Sequence, residues 1–251
     1  MNEEFMLKLL PALKGLRVYH RHDVMGINHI PRRGPAIVAS THSLATYDLL
    51  LLMACIYQET GRFPRSLVDN LFYKVPGLGP VMESLGCVAG SPQNAKSLLS
   101  NGEILCLAPG GMKESLRSGK NKYKIYWQNR KGFAKLALET GSPIILAACP
   151  SADDVYDVYD TKLSSFIYKR FKLPFFIAKG LGFTAIPKPV RLKHHLSAPI
   201  YPPSWDGKKP SGVVVDEFHA ELVVKMESLL KKAVAEAHPA SLGVGRPLED
   251  R

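Results

Sequence analysis

The sequence lacks any run of about eighteen uncharged apolar residues, the length a helix needs to cross a bilayer, so no transmembrane helix is expected. It also lacks a signal-peptide cleavage pattern, internal repeats and low-complexity blocks. No Gly-x-Ser-x-Gly segment occurs, which argues against the nucleophile elbow of α/β-hydrolases. Cysteine is scarce: Cys55, Cys87, Cys106 and Cys149 are widely spaced, and no two have metal-ligand spacing. Reduced thiols in a cytosolic compartment, and no metal, are the expectation. Acidic residues are short by comparison with basic ones, 22 against 33, for a net charge of +11. Such a surface calls for an anionic partner: a membrane, a nucleic acid or a phosphate-bearing cofactor. At 251 residues and 46% hydrophobic, the chain can bury a full core as one domain.

The apolar pattern reads as alternating strands and helices. Residues 36–40, 65–69, 103–108 and 143–149 are short apolar runs bounded by turn residues, hence strands. Between them, Ser91-Pro92 supplies an N-cap and a proline in the first helical position, for a helix ending near Gly102. Residues 130–139 read as a helix stopped by Gly141. Residues 216–237 place Phe218, Leu222, Met226, Leu229 and Ala233 on one helical stripe. This alternation indicates an α/β layered domain, with a mixed, largely parallel central sheet flanked by helices. Residues 191–200 read as an edge strand whose adjacent His194 and His195 point to opposite faces, as surface residues rather than a paired site.

At the N-terminus, residues 1–16 carry Phe5, Met6, Leu9, Leu10 and Leu13 at helical spacing, interrupted by Pro11. Two readings stand side by side, a helix packed on the domain and an interfacial helix lying on lipid; Arg17, Arg21, Arg32 and Arg33 favour the second. The division expected is a membrane-associating segment 1–25, a domain 26–237 and a loose tail 238–251. Basic residues cluster twice, eight between 113 and 135 and eight between 162 and 193. The second cluster is interleaved with Phe166, Tyr168, Phe171, Phe175, Phe176 and Phe183, a mixture suited to a membrane interface. No nucleic-acid fold signature accompanies it, so nucleic acid is not the expected partner.

Two turns carry the chemistry. Thr41-His42-Ser43-Leu44-Ala45-Thr46-Tyr47-Asp48 lies between a strand and the apolar run 49–57. An imidazole titrates near neutrality and can take a proton from a hydroxyl, while a carboxylate can fix its tautomer. Standing alone, the pair reads first as an ordinary turn histidine with an aspartate elsewhere on the helix. The second turn, Ala108-Pro109-Gly110-Gly111-Met112-Lys113-Glu114, follows a strand, and its glycines leave backbone N–H groups open to a developing oxyanion.

Together these turns resemble the glycerolipid acyltransferase family, which includes the lysophosphatidate acyltransferases. Leu71-Phe72-Tyr73-Lys74-Val75-Pro76-Gly77-Leu78-Gly79 with Gly86-Cys87-Val88 is similar to its second block, and Gly141-Ser142-Pro143-Ile144-Ile145 to its fourth. The likeness covers about residues 26–149. Five residues, instead of the usual four, separate His42 from Asp48. Pro109-Gly110-Gly111-Met112-Lys113 stands where Pro-Glu-Gly-Thr-Arg is usual, and Pro-Gly-Gly followed by Glu114 is closer to the mono- and diacylglycerol acyltransferase branch.

The resemblance implies a peripheral membrane enzyme on the cytoplasmic face that moves a fatty acyl group from acyl-CoA or acyl carrier protein, as co-substrate, to a glycerolipid hydroxyl. His42 is then the base and Asp48 its orienter. Pro109, Gly110, Gly111, Lys113 and Glu114 form the oxyanion and substrate loop, and Lys74, Arg130 and Lys131 hold phosphates of the donor or a lipid headgroup. No other cofactor is implied. A lipid hydrolase or transacylase using Ser43, and a non-catalytic lipid-binding protein, remain the alternatives.

Overall fold

The computed structural model describes residues 3–117, 119–159, 177–182, 184–204 and 210–238. Much of the aromatic and basic stretch 162–193, including Phe175 and Phe176, therefore lies outside the described residues, as does the tail from 239 onward.

The core is a seven-stranded sheet. Its strands are β1 (Asp23–Met25), β2 (Ala36–Ser40), β3 (Arg65–Val68), β4 (Cys87–Ala89), β5 (Ile104–Leu107), β6 (Ile144–Ala148) and β9 (Lys193–Leu196). Their order across the sheet is β1-β9-β6-β2-β5-β3-β4. Pairings are parallel except β6 with β9, so β1 and β9 run against the other five. The short strands β7 (Asp157–Tyr159) and β8 (Ile177–Lys179) form a separate antiparallel pair.

The helices are α1 (Glu3–Tyr19), α2 (Tyr47–Thr60), α3 (Leu71–Lys74), α4 (Leu78–Ser84), α5 (Pro92–Ser100), α6 (Gly111–Ser115), α7 (Gly132–Thr140) and α8 (Gly212–Ala237). They cover both faces of the sheet, which explains why its central strands read as continuous apolar runs. Successive side chains go to opposite faces. Ile37, Ala39, Leu105, Ile144 and Leu146 meet α5, α7 and α8 in one cluster. Ala36, Val38, Ile104, Cys106, Ile145 and Ala147 meet Leu49, Leu52, Met53 and Ile56 of α2 in another.

The caps follow the sequence. Ser91 accepts the Asn94 N–H through its Oγ at 3.1 Å, with Pro92 in the first helical turn. Gly141 ends α7 in the left-handed conformation.

The N-terminal helix packs on the domain along one face. Met6 and Leu13 are buried, and Leu13 meets Leu51 and Ala54 of α2. Phe5, Leu7 and Val18 face outward. No described helix is long and apolar enough to cross a membrane.

One expectation is corrected. The strand around His194 is not an edge: β9 lies between β1 and β6, and His194 and His195 are both buried. The cause is β1, a three-residue strand that covers β9 on the outer side. So short a segment has no periodicity by which the sequence could reveal it. The two side chains do diverge, His194 towards Asp48 and His195 towards Glu236 of α8.

Candidate active site

Parallel strands bring their C-terminal ends to one edge, and the candidate residues leave the sheet there. Ala39 pairs with Leu107, so the same register continued past the strand ends sets His42 level with Gly110. Ser40 pairs with Ala147, and the chain beyond β6 leads to Asp153. Open α/β sheets bind ligands outside the carboxyl ends of their strands.

The His42 backbone is gripped from both sides. Its N–H donates to Glu114 Oε1 at 2.7 Å, and its carbonyl accepts from Arg117 Nη1 at 3.1 Å. Glu114 Oε2 accepts the Tyr126 N–H at 2.7 Å. Arg117 Nε donates to Asp153 Oδ2 at 2.6 Å, and the same oxygen accepts the Tyr123 N–H at 2.9 Å. Glu114, Arg117 and Asp153 are all buried side chains. Burial pushes the Glu114 and Asp153 carboxyls above the usual range, with Arg117 opposing it in each case.

The His42 ring tautomer follows from its contact. Nδ1 lies 2.9 Å from the Ser43 carbonyl oxygen. A carbonyl only accepts, so Nδ1 carries the proton and Nε2 presents a lone pair. Burial lowers the His42 pKa below the ordinary imidazole value, and the bond to Ser43 and the charge of Asp48 only partly offset it. The ring is therefore a neutral base near pH 7.

Asp48 is reached by another route than a direct bond to His42. One carboxylate oxygen accepts the Ser43 hydroxyl, and the other lies 3.2 Å from His194 Nε2. Burial opposes its ionisation, but these bonds outweigh burial and hold its pKa below the usual value. The five-residue spacing closes through a 3-10 turn, Leu44–Thr46, with Thr46 at φ +50°. A β-branched residue there is an uncommon, strained arrangement. It turns the first helical turn of α2 back so that Asp48 meets Ser43.

In the second turn, Gly110 is required by packing. A Cβ built on it would overlap the Glu114 carboxylate and come within 2.5 Å of Glu114 Cβ. Gly111 has φ +58°, and a Cβ there would lie 3.0 Å from Arg130 Nη1. Its N–H donates to the Ala108 carbonyl at 3.3 Å, leaving the Gly110 N–H as the loop's candidate oxyanion donor. Pro109 precedes them, half-buried.

Among the expected phosphate ligands, Arg130 is brought to this loop, exposed beside Gly111 and near enough for its charge to lower the His42 pKa. Lys113 lies over the Tyr126 ring, 5.1 Å from its centroid. Lys131 is directed to α8, where it pairs with Asp216 at 2.7 Å. Lys74 is exposed at the end of α3. A cavity of about 500 Å³ adjoins the loop through Tyr126 and runs between residues 123–128 and Leu230, Lys231 and Val234 of α8.

Sequence reasoning missed Arg117, Asp153 and His194. The i,i+3 pair of Glu114 and Arg117 was the one local signal for the buried network. Asp48, Cys149 and His194 also gather side-chain donor atoms within 4.8 Å of one another. Asp48 and His194 face each other at 3.2 Å, and burial, with the charge of Asp48 adding to it, raises the Cys149 thiol pKa.

Several buried histidines make stability pH-dependent. Burial lowers the pKa of His20, His22, His42, His195 and His219, that of His22 to about 2. Below pH 6.5 the unfolded chain takes up protons on these rings before the folded chain does, so stability is lost as pH falls. For His22 the slope is up to about 1.4 kcal/mol per pH unit, from 6.5 down towards 2. The raised carboxyls of Glu114 and Asp153 act with the opposite sign nearer their own range. Urea unfolding midpoints between pH 7 and 5.5 should fall accordingly, and His22→Gln should flatten the slope. A midpoint constant over that interval would contradict the buried neutral rings.

Comparison with known proteins adds the family. The sequence pattern of the Acyltransferase family matches residues 21–149. The chain is similar to the "DGAT1/2-independent enzyme synthesizing storage lipids" of Bos taurus, 32% identical over 184 residues, covering 73% of this chain and 53% of that one. The Homo sapiens protein of the same name is 31% identical over 184 residues, covering 73% and 55%. The chain thus spans about half the length of the curated relatives it matches. Among solved structures, it is similar to the 1-acyl-sn-glycerophosphate acyltransferase PlsC of Thermotoga maritima. That match has 17% identity and a TM-score of 0.48, over 87% of this chain and 80% of that one.

Proposed function

The chain belongs to the acyltransferase family, and from that premise we propose that it moves a fatty acyl group from a thioester, acyl-CoA or acyl carrier protein, to the hydroxyl of a glycerolipid. The observation that carries this reading is His42: its Nδ1–H is fixed on the Ser43 carbonyl, so its free Nε2 is the base at the edge where Gly110 and Arg130 converge. Nε2 takes the proton of the acceptor hydroxyl as its oxygen attacks the thioester carbonyl. The Gly110 N–H stabilises the tetrahedral oxyanion. The C–S bond then breaks, and the Nε2 proton passes to the departing thiolate. Because a thioester is already activated, no covalent acyl-enzyme is needed. Ser43 is not arranged as a nucleophile, since its hydroxyl donates to Asp48.

The acceptor favoured is a neutral lipid alcohol such as mono- or diacylglycerol. Gly110 cannot be a glutamate without displacing Glu114, and position 113 offers a lysine, whose point charge grips a phosphate less well than a guanidinium does. The relatives named for storage lipids agree with a lipid product. The outward Phe5, Leu7 and Val18 of α1 and the net charge of +11 support work as a peripheral protein at the cytoplasmic face of a membrane.

Release of thiol from palmitoyl-coenzyme A should depend on added acceptor, and monoacylglycerol should outcompete lysophosphatidate in mixed micelles. Acceptor-independent release would instead mark a hydrolase, and none at all a lipid-binding protein. Preference for lysophosphatidate would return the acceptor to the phosphorylated class. Because the base must be unprotonated and its pKa is lowered, the acid limb of kcat/KM should lie below pH 6.5.

A further inference from the structure

Behind Asp48 runs a file of buried polar groups that the acyl-transfer mechanism does not use. Arg17 Nε donates to His22 Nδ1 at 3.1 Å. His22 Nε2 lies 2.9 Å from His194 Nδ1, and His194 Nε2 lies 3.2 Å from Asp48 Oδ2. At its outer end, Arg17 Nη1 donates to Gln58 Oε1 on α2.

The tautomers along this file are determined from one end. A guanidinium only donates, so His22 Nδ1 is an acceptor. The His22 ring is neutral, so its proton is on Nε2, which must donate to His194 Nδ1. His194 Nδ1 is then an acceptor, and the remaining His194 proton is on Nε2, aimed at Asp48. Every link points the same way, from a permanent cation at the half-buried edge to a carboxylate that is 1% exposed. His20 does not compete: its ring nitrogens are taken by the Val190 carbonyl and the Tyr47 hydroxyl, each at 2.9 Å.

We propose that His194 is a positioning residue for acyl transfer, the last link of a one-way donor chain Arg17→His22→His194→Asp48 that keeps the Asp48 carboxylate ionised and aimed at the Ser43 turn. The idea rests on the reading of His42 as base with Asp48 in support. Its physical content is that a fully buried carboxylate needs donors to remain charged, and beside the Ser43 hydroxyl and the backbone N–H of Asp48 itself, His194 makes the largest contribution. The other groups facing Asp48 or the chain are His42 and Arg117 beyond the turn, Asp153 and Cys149 at the end of β6, and His195 on β9. Of these, Arg117 is committed to Asp153, Glu114 and the His42 carbonyl. The Cys149 N–H is 3.5 Å from Thr41 Oγ1.

The test compares His194→Leu, which removes the donor, with His194→Gln, which can restore an N–H to Asp48, and with His42→Ala. The probes are palmitoyl-coenzyme A and monoacylglycerol. His194→Leu should lower kcat by about 10- to 100-fold, the loss expected for one hydrogen bond to a charged group, with KM unchanged. Its profile should show an added loss of activity on the acid side, distinct from the His42 limb, because an Asp48 carboxylate without its donor protonates sooner. His194→Gln should recover most of both effects.

A leucine variant with the parent's kcat and pH profile, or one that changes KM alone, overturns the proposal. An active His42→Ala would instead overturn the base assignment on which it rests. If His194→Leu does not fold, Arg17→Met carries the test from the far end of the chain. It should lower kcat by about tenfold and add the same acid-side loss, and a parental profile overturns the chain. Independently of any substrate, ¹⁵N imidazole spectra of the intact protein should show both His22 and His194 as Nε2–H tautomers. Either ring found as Nδ1–H breaks the chain.

Discussion

His42→Ala should abolish acyl transfer while leaving the protein folded. Removal of a positioned general base costs roughly 100- to 10,000-fold, and here little else is lost. The Glu114 and Arg117 bonds that hold position 42 go to its backbone N–H and carbonyl, which alanine retains. Thermal unfolding should therefore stay close to the parent while thiol release with acceptor falls by that factor. Activity within a few-fold of the parent in a folded variant would remove His42 from the mechanism. Asp48→Asn should also be severe. The asparagine has one acceptor for two donors, the Ser43 hydroxyl and the His194 N–H, so its amide must face one of them.

The second large effect is expected at Arg117, and it combines stability with activity. Burial opposes its charge, yet Asp153 and Glu114 more than compensate and hold its pKa above the ordinary value. Arg117→Met leaves two buried carboxylates without their cation, a change that costs about 3–5 kcal/mol when a buried pair is broken from one side. It also removes the donor to the His42 carbonyl. Guanidinium unfolding should show the lost stability, and residual folded enzyme should have reduced kcat because the ring is less firmly placed. A variant as stable as the parent would show that the ionic cluster contributes no net stability. In that case its role would be confined to fixing the turn.

How far the sequence revealed this arrangement depends on whether a feature is local. Strands β2, β5 and β6 and helices α5, α7 and α8 were readable because each has its own apolar period or cap, such as Ser91 before Pro92 or Gly141 after α7. The two site turns were readable because each follows such a strand. The buried ties between them were not. Glu114 reaching the His42 N–H and His194 reaching Asp48 join residues 72 and 146 positions apart, and no period marks either contact. His194 and His195 were expected at the surface because polar residues usually are. That β9 is an inner strand depends on β1, too short to announce itself.

The placement of β9 also bears on the order in which the chain is made. β1 is formed early in the sequence but pairs with β9 alone, and β9 ends at Leu196. Until synthesis has passed that point, β1 has no strand to join, and the His22–His194 contact, spanning 172 residues, cannot close. The five parallel strands are complete at Ala148 and can come together first. Contacts of such sequence separation form slowly, since a long loop must be ordered before they return any energy. A nascent chain halted between residues 148 and 193 therefore has its five-stranded centre but an unpaired N-terminal strand. Its exposed sheet edge at β6 would be a site for chaperone engagement or wrong pairing.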